Sequence, residues 1–310
     1  MSALTQSFVV RAPGAAYLLA VMAAILAIWT PGFFTINNLT NVALQVAVLA
    51  IVTLGMALVI LTEGIDLSLG AVLGLCGVSA ALLAAAGQPM PVVIAAAVAI
   101  GVFFGLVNGA LVAVAGLPAF IVTLGTFGIA QSIATVLSKG DSVTSLPAYF
   151  RAFNDGSLLG LPAPIWALAA SFAATWLLLY RTRFGRCVFA IGGNRRALTL
   201  SGARVNFHHV SVYVYAGVLT ALASFIMTAR VNAAHPTIGL GMEFDAIAAV
   251  VLGGNSLERG EGGLWGPLVG AFAIGVLRNG LNLLGVGTEW QIALIGAVII
   301  IAVSVDSLRT

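Results

Sequence analysis

The sequence predicts an all-α polytopic membrane protein, and three observations carry that prediction. Of its 310 residues, 61% are hydrophobic and 7% charged, whereas a soluble domain carries about 25% charge. The apolar residues gather into runs near the ~20 residues that a spanning helix needs. Almost half of the 13 basic residues (Arg181, Arg183, Arg186, Arg195, Arg196 and Arg204) lie in one loop between two such runs. Loops on the cytoplasmic side of a membrane collect arginine and lysine, so this loop fixes which way the chain runs.

The elements follow in order. The first apolar run, Ala15 to Trp29, comes after Arg11 and has no small-x-small cleavage site behind it. It reads as an uncleaved first helix over 14–30 rather than a signal peptide. Residues 42–86 hold two spans, 42–62 and 67–86, with a turn near Glu63–Asp66. Residues 91–138 hold two more, 91–115 and 119–138, parted at Gly116-Leu117-Pro118, where glycine and proline break a helix. Spans at 163–180 and 207–229 flank the basic loop, which runs over about 181–206. Asp245–Gly254 is too short to cross, at roughly 15 Å of helix, and an irregular polar stretch to Gly263 follows it. Irregular backbone at membrane depth is tolerated inside protein or beside water. Residues 245–263 therefore read as a broken or half-length helix ending toward the cytosol. Spans at 264–284 and 288–304 bring the total to about ten segments in a single transmembrane domain, 1–310.

With the basic loop in the cytosol, both termini are cytoplasmic, with Arg11 near one end and Arg309 near the other. The outer loops 31–41 and 87–90 carry no charge, and only Lys139, Arg151 and Arg230 oppose the rule. An inverted repeat of segments 2–5 and 7–10 is expected. Leu106, Asn108, Gly109, Gly116, Ile121 and Gly125 match Leu277, Asn279, Gly280, Gly287, Ile292 and Gly296 at a constant offset. Inverted repeats around a central site are a transporter signature.

The candidate pathway residues are the polar ones at membrane depth: Asp66, Ser68, Asn108, Asp245 and Asn279. Asp66 fits an N-cap of the third helix and also a place on a translocation route, since ionisable groups in a membrane default to function. Asp245 fits a cap of the short helix, or a half-helix end aimed at a midplane site. Asn108 and Asn279 fit hydrogen bonds between helices or contacts to a hydroxylated substrate. The Gly70/Gly74/Gly77 and Gly101/Gly105/Gly109 spacings predict close helix packing. In the basic loop, Asn194 can cap a short helix over 195–201 that Gly202 ends.

Several functions are excluded or disfavoured. No Gly-x-x-x-x-Gly-Lys-Ser/Thr loop is present, so ATP is not bound by the usual loop. The three histidines, His208, His209 and His235, form no metal-binding pattern. No nucleophile–base pair is readable, no cofactor is implied, and a net charge of +3 gives no reason to expect nucleic acid. Cys76 and Cys187 lie at different depths and are not expected to pair.

Thr182-Arg-Phe-Gly185, Ala190-Ile-Gly-Gly-Asn194 and Ser201-Gly202 resemble the cytoplasmic coupling region of ribose-type monosaccharide permeases, the membrane subunits of bacterial ATP-binding-cassette importers. Gly64-Ile-Asp-Leu-Ser-Leu-Gly70 is similar to their Gly-Ile-Asp-Leu-Ser-Val-Gly signature. Asp245–Gly254, Gly266 and Asn279–Gly285 match the C-terminal half, so the resemblance covers residues 37–306. Leu69, Asn255 and the charged Glu258-Arg-Gly-Glu261 depart from the pattern, without touching its core. The resemblance implies a non-catalytic permease in a bacterial inner membrane, usually a homodimer and surrounded by lipid. It implies a cytosolic ATPase docked on Gly192, Asn194, Arg195, Arg196, Ser201 and Gly202, and an extracytoplasmic binding protein that delivers a sugar. A nucleoside or other small-solute permease of the same architecture and a stand-alone secondary transporter are the alternatives.

Overall fold

A computed structural model describes residues 13–300, apart from 31, 258, 288, 298 and 299. Arg11, Glu258, the 301–304 end of the last expected span and Arg309 lie outside the described residues. The described chain is helical apart from its connections and a β-hairpin of two two-residue strands.

Helix α1 spans Pro13–Trp29. Helix α2 spans Ile36–Ile60, starting earlier than the apolar run at 42. The polar turn that hydropathy assigns to the outer loop is the first turn of this helix. Thr35 caps it, with its hydroxyl accepting the Asn38 N–H at 3.3 Å. From Val46 to Ile60 nearly every residue of α2 is buried. A helix that is apolar all round belongs inside a bundle, and α2 is that axis: α7, α9, α10 and α11 all pack on it.

A non-helical stretch at 64–66 leads to α3, Leu69–Ala85. Helix α4, Met90–Gly109, runs on as a π-helical turn, Ala110–Val114. After Gly116-Leu117-Pro118 comes α5, Ala119–Ser138. The expected loop at 139–162 holds structure of its own: α6, Ala148–Asp155, and β1 (Ser157–Leu158) paired with β2 (Leu161–Pro162). Phe150 anchors α6, fully buried with its ring 5.0 Å from that of Phe225. Helix α7 is Ala163–Arg181, α8 is Arg183–Leu200 and α9 is Val205–Val231. The half-length segment is present as α10, Met242–Leu252, followed by irregular backbone up to α11, Trp265–Leu283. Residues 289–297 are helical again.

Glycine spacing does what small residues do in membranes. Along α4, a Cβ on Gly101 would strike the Gly217 backbone, one on Gly105 the Tyr213 backbone, and one on Gly109 the Val210 backbone. These three contacts lay α4 along α9. On α3, Gly70 closes on Gly239 and Gly74 on Pro236, so the chain after α9 folds back along α3 before α10 begins.

By length and composition, five described helices can each cross a bilayer: α2, α4 with its π turn, α5, α7 and α9. A bundle of this kind is a polytopic membrane protein. Its outer surface is apolar, with Phe120, Ile121, Leu124, Ile129, Ile133 and Val136 of α5 all exposed.

Candidate functional site

Asp66, Ser68 and Asn108 come together where α3 starts. Asp66 Oδ1 accepts the Ser68 N–H at 2.9 Å and its hydroxyl at 2.6 Å. From α4, Asn108 Nδ2 donates to Ser68 Oγ at 2.9 Å and lies 3.4 Å from Asp66 Oδ2. From α5, the Thr126 hydroxyl donates to Asn108 Oδ1 at 2.7 Å. All four side chains are buried. The expectation that Asp66 is the N-cap needs correction. Ser68 holds that position, and Asp66 makes an Asx-type turn two residues ahead of its partner. The result is one hydrogen-bonded knot joining α3, α4 and α5.

Asp245 is not the cap of α10 either. The cap position belongs to Gly241, whose φ of +89° is easy for glycine and strained for other residues. Asp245 sits in the first turn and forms an ion pair with Arg278 of α11, at 2.7 Å and 2.9 Å from its two oxygens. Glu243, buried beside it, accepts the Gly241 N–H at 3.2 Å. Asn279 makes a reciprocal amide pair with Asn38 of α2, both bonds at 2.9 Å. Asp245 thus ties α10 to α11 and Asn279 ties α11 to α2, while Asp66, Ser68 and Asn108 form a separate cluster. The sequence reading missed Thr126 and Asn38. Threonine is unremarkable in an apolar helix, and Asn38 fell outside a boundary drawn by hydropathy. The cap pattern Thr35-x-x-Asn38 is the signal that would have moved that boundary.

The basic loop is α8, and Asn194 breaks it with φ −161° and ψ 84°. Asn194 Oδ1 accepts the Ala197 N–H at 2.8 Å, so a second short helix starts there, and Gly202 follows its end at φ +79°. Asn194, Arg196, Ser201 and Gly202 are exposed, and so is Leu200, at 83%. Gly192 instead faces inward, with the Leu61 carbonyl and the Gly260 Cα leaving no room for a Cβ. Arg195 also reaches back to the bundle. Its Nη2 donates to the Ala113 carbonyl at 2.9 Å and to Asn206 Oδ1 at 3.1 Å. Ala113 lies in the π turn, so the short helix is tied to the end of α4. Phe184 and Phe189 pack near His208 and Tyr180, with ring centres 6.2 Å apart in each pair. Both cysteines are free thiols, and among the described residues no cluster suits a metal ion.

The family model for the branched-chain amino acid transport system permease component matches residues 38–303. The chain is 45% identical to the ribose import permease protein of Escherichia coli, over 93% of this chain and 91% of that one. The ribose import permease protein of Bacillus subtilis is 41% identical, over 92% and 89%. The D-allose transport system permease protein of Escherichia coli is 38% identical, over 95% and 91%. No solved structure matches. The chain belongs to this family of transport-system permease components.

Proposed function

We propose that the chain is the membrane permease subunit of an ATP-binding-cassette importer for a monosaccharide. The ribose and allose permeases among its relatives support a sugar over the branched-chain amino acid of the family description. The observation that carries the docking role is the capped helix after Asn194, exposed at Leu200 and tied inward by Arg195. A cytosolic ATPase docks there, with Asn194, Arg196, Ser201 and Gly202 on the contact surface. Gly192 and Arg195 pass its movement to α2 and α4. A binding protein delivers sugar to the opposite face, and ATP turnover rocks two permease subunits between outward- and inward-open states.

In this reading the subunit has about ten segments in a bacterial inner membrane, with α10 as the half-length one and both termini cytoplasmic. The two halves repeat in inverted sense. In each, an acidic residue at the start of a short helix bonds to the next long helix: Asp66, just ahead of α3, to Asn108 of α4, and Asp245 of α10 to Arg278 of α11, next in sequence to Asn279. Asp66, Ser68, Asn108, Asp245 and Asn279 hold the helices that frame the route.

The test is a pull-down from detergent-solubilised membranes of the native host with this chain as bait. A stoichiometric ATP-binding-cassette protein is expected, and it is lost when 195–201 is deleted. Uptake that survives ATP depletion but collapses with the proton gradient would instead establish a secondary transporter.

A further inference from the structure

A cavity of about 210 Å³ lies where α2 ends, α4 turns into α5 and α8 kinks. Thr62, Glu63, Gly64, Gly116, Arg195 and His209 line it, with apolar neighbours. It exceeds the ~150 Å³ of an engineered cavity that binds benzene, so a ligand of about ten non-hydrogen atoms fits. A further observation marks it as a binding site. His209 is 4% exposed, and neither of its ring nitrogens has a hydrogen-bond partner. Tyr213, one turn along α9 with its ring 5.8 Å from His209, is fully buried with its hydroxyl unpartnered too. Buried polar atoms are as a rule paired, and an unpaired imidazole in a cavity wall is a place for a ligand. Glu63, on the rim, holds φ +60°. That left-handed conformation closes the C-terminus of α2, where the Glu63 N–H meets the Ile60 carbonyl at 2.9 Å and the Gly64 N–H the Val59 carbonyl at 3.1 Å.

The lining selects the ligand. A divalent cation needs several carboxylates or imidazoles, and here one of each faces an arginine. An oxyanion meets the Glu63 carboxylate, and Arg195 Nη2 is already engaged by Ala113 and Asn206. A neutral polyol suits all three groups, because each hydroxyl both donates and accepts. It can donate to Glu63 and accept from the remaining guanidinium N–H groups, with His209 free to do either.

We propose that this cavity binds a compact, neutral, hydroxyl-rich ligand. On the permease reading above, on which the ligand's identity rests, this is the imported sugar bound from the cytoplasmic side. A ligand spanning Arg195 and Glu63 ties the exposed helix after Asn194 to the end of α2, so the site lies where released sugar is sensed by the docking element.

The chain has three histidines, which makes His209 a direct probe. The full chain, imidazole-¹⁵N-labelled and in lipid nanodiscs, is titrated with ribose, D-allose and galactose in turn, and then with inorganic phosphate. His209→Asn assigns the resonance; if that variant does not fold, His208→Asn and His235→Asn assign it by elimination. One sugar is expected to move the His209 signal saturably, with a midpoint about tenfold higher in Glu63→Gln, the loss of one charge-assisted hydrogen bond. A His209 signal unmoved by all three sugars, or moved by phosphate instead, overturns the proposal. Uptake by cells carrying the intact transporter separates the two readings. Uptake with a silent His209 sinks the cavity site alone, and a responsive His209 without ATP-driven uptake sinks the permease reading alone.

Discussion

Asp245 and Arg278 sit 2.7 Å apart with side chains 9% and 25% exposed, and neither is expendable alone. A buried pair owes its persistence less to attraction than to the cost of leaving one member uncompensated. Arg278→Leu should therefore lower stability by about 3 kcal/mol, while the Asp245→Asn, Arg278→Leu double variant recovers most of that loss. Thermal unfolding of the purified chain in detergent measures both. Additive losses would show that the two charges do not interact. The sequence marked these residues, and Asp66, Asn108 and Asn279 beside them, because polar groups in apolar runs stand out. It did not reveal who pairs with whom. That depends on tertiary approach: Asn279 meets Asn38 across 241 positions, and Asn108 meets a threonine that nothing in its own run distinguishes.

At the scale of elements, the legible features were those written locally. The helix after Asn194 was readable because a cap residue and a terminal glycine specify their own backbone. The π turn at Ala110–Val114, α6 inside a presumed loop, and the fold-back of 232–241 along α3 have no such local signature. They follow from contacts made elsewhere in the bundle. Glycine contacts turn this difference into a prediction. Gly192 abuts the Leu61 carbonyl and Gly260, whereas a Cβ on Gly125 meets nothing within 4 Å. Gly192→Ala should push α8 away from the end of α2 and cut sugar uptake about tenfold at equal membrane abundance, because coupling between sites is worth about 5–150-fold and small shifts at a packed interface are amplified. Gly125→Ala should stay near normal, its helix propensity slightly improved. Radiolabelled uptake normalised to the amount of permease decides it, and normal uptake in Gly192→Ala would remove the α8–α2 contact from the coupling route.

For the whole molecule, everything hinges on which face of the bundle meets the cytosol. The half-helix α10, the exposed helix after Asn194 and the cavity beneath it take their meaning from that direction. The six-arginine loop sets it, against Lys139, Arg151 and Arg230, which point the other way. The chain carries its own reporter. Cys76 is fully buried, and Cys187, in the arginine-rich α8, is the half-buried thiol that remains. A membrane-impermeant maleimide should therefore label inside-out vesicles and leave right-side-out vesicles unmarked, with Cys187→Ser abolishing the signal. Should the native thiol react from neither side, Arg196→Cys in the Cys187→Ser background places a probe on the exposed side of the kink. Labelling of either thiol from outside would invert the bundle. The helix after Asn194 would then be barred from a cytosolic ATPase, and the six-arginine loop would need an explanation other than retention at the cytoplasmic face.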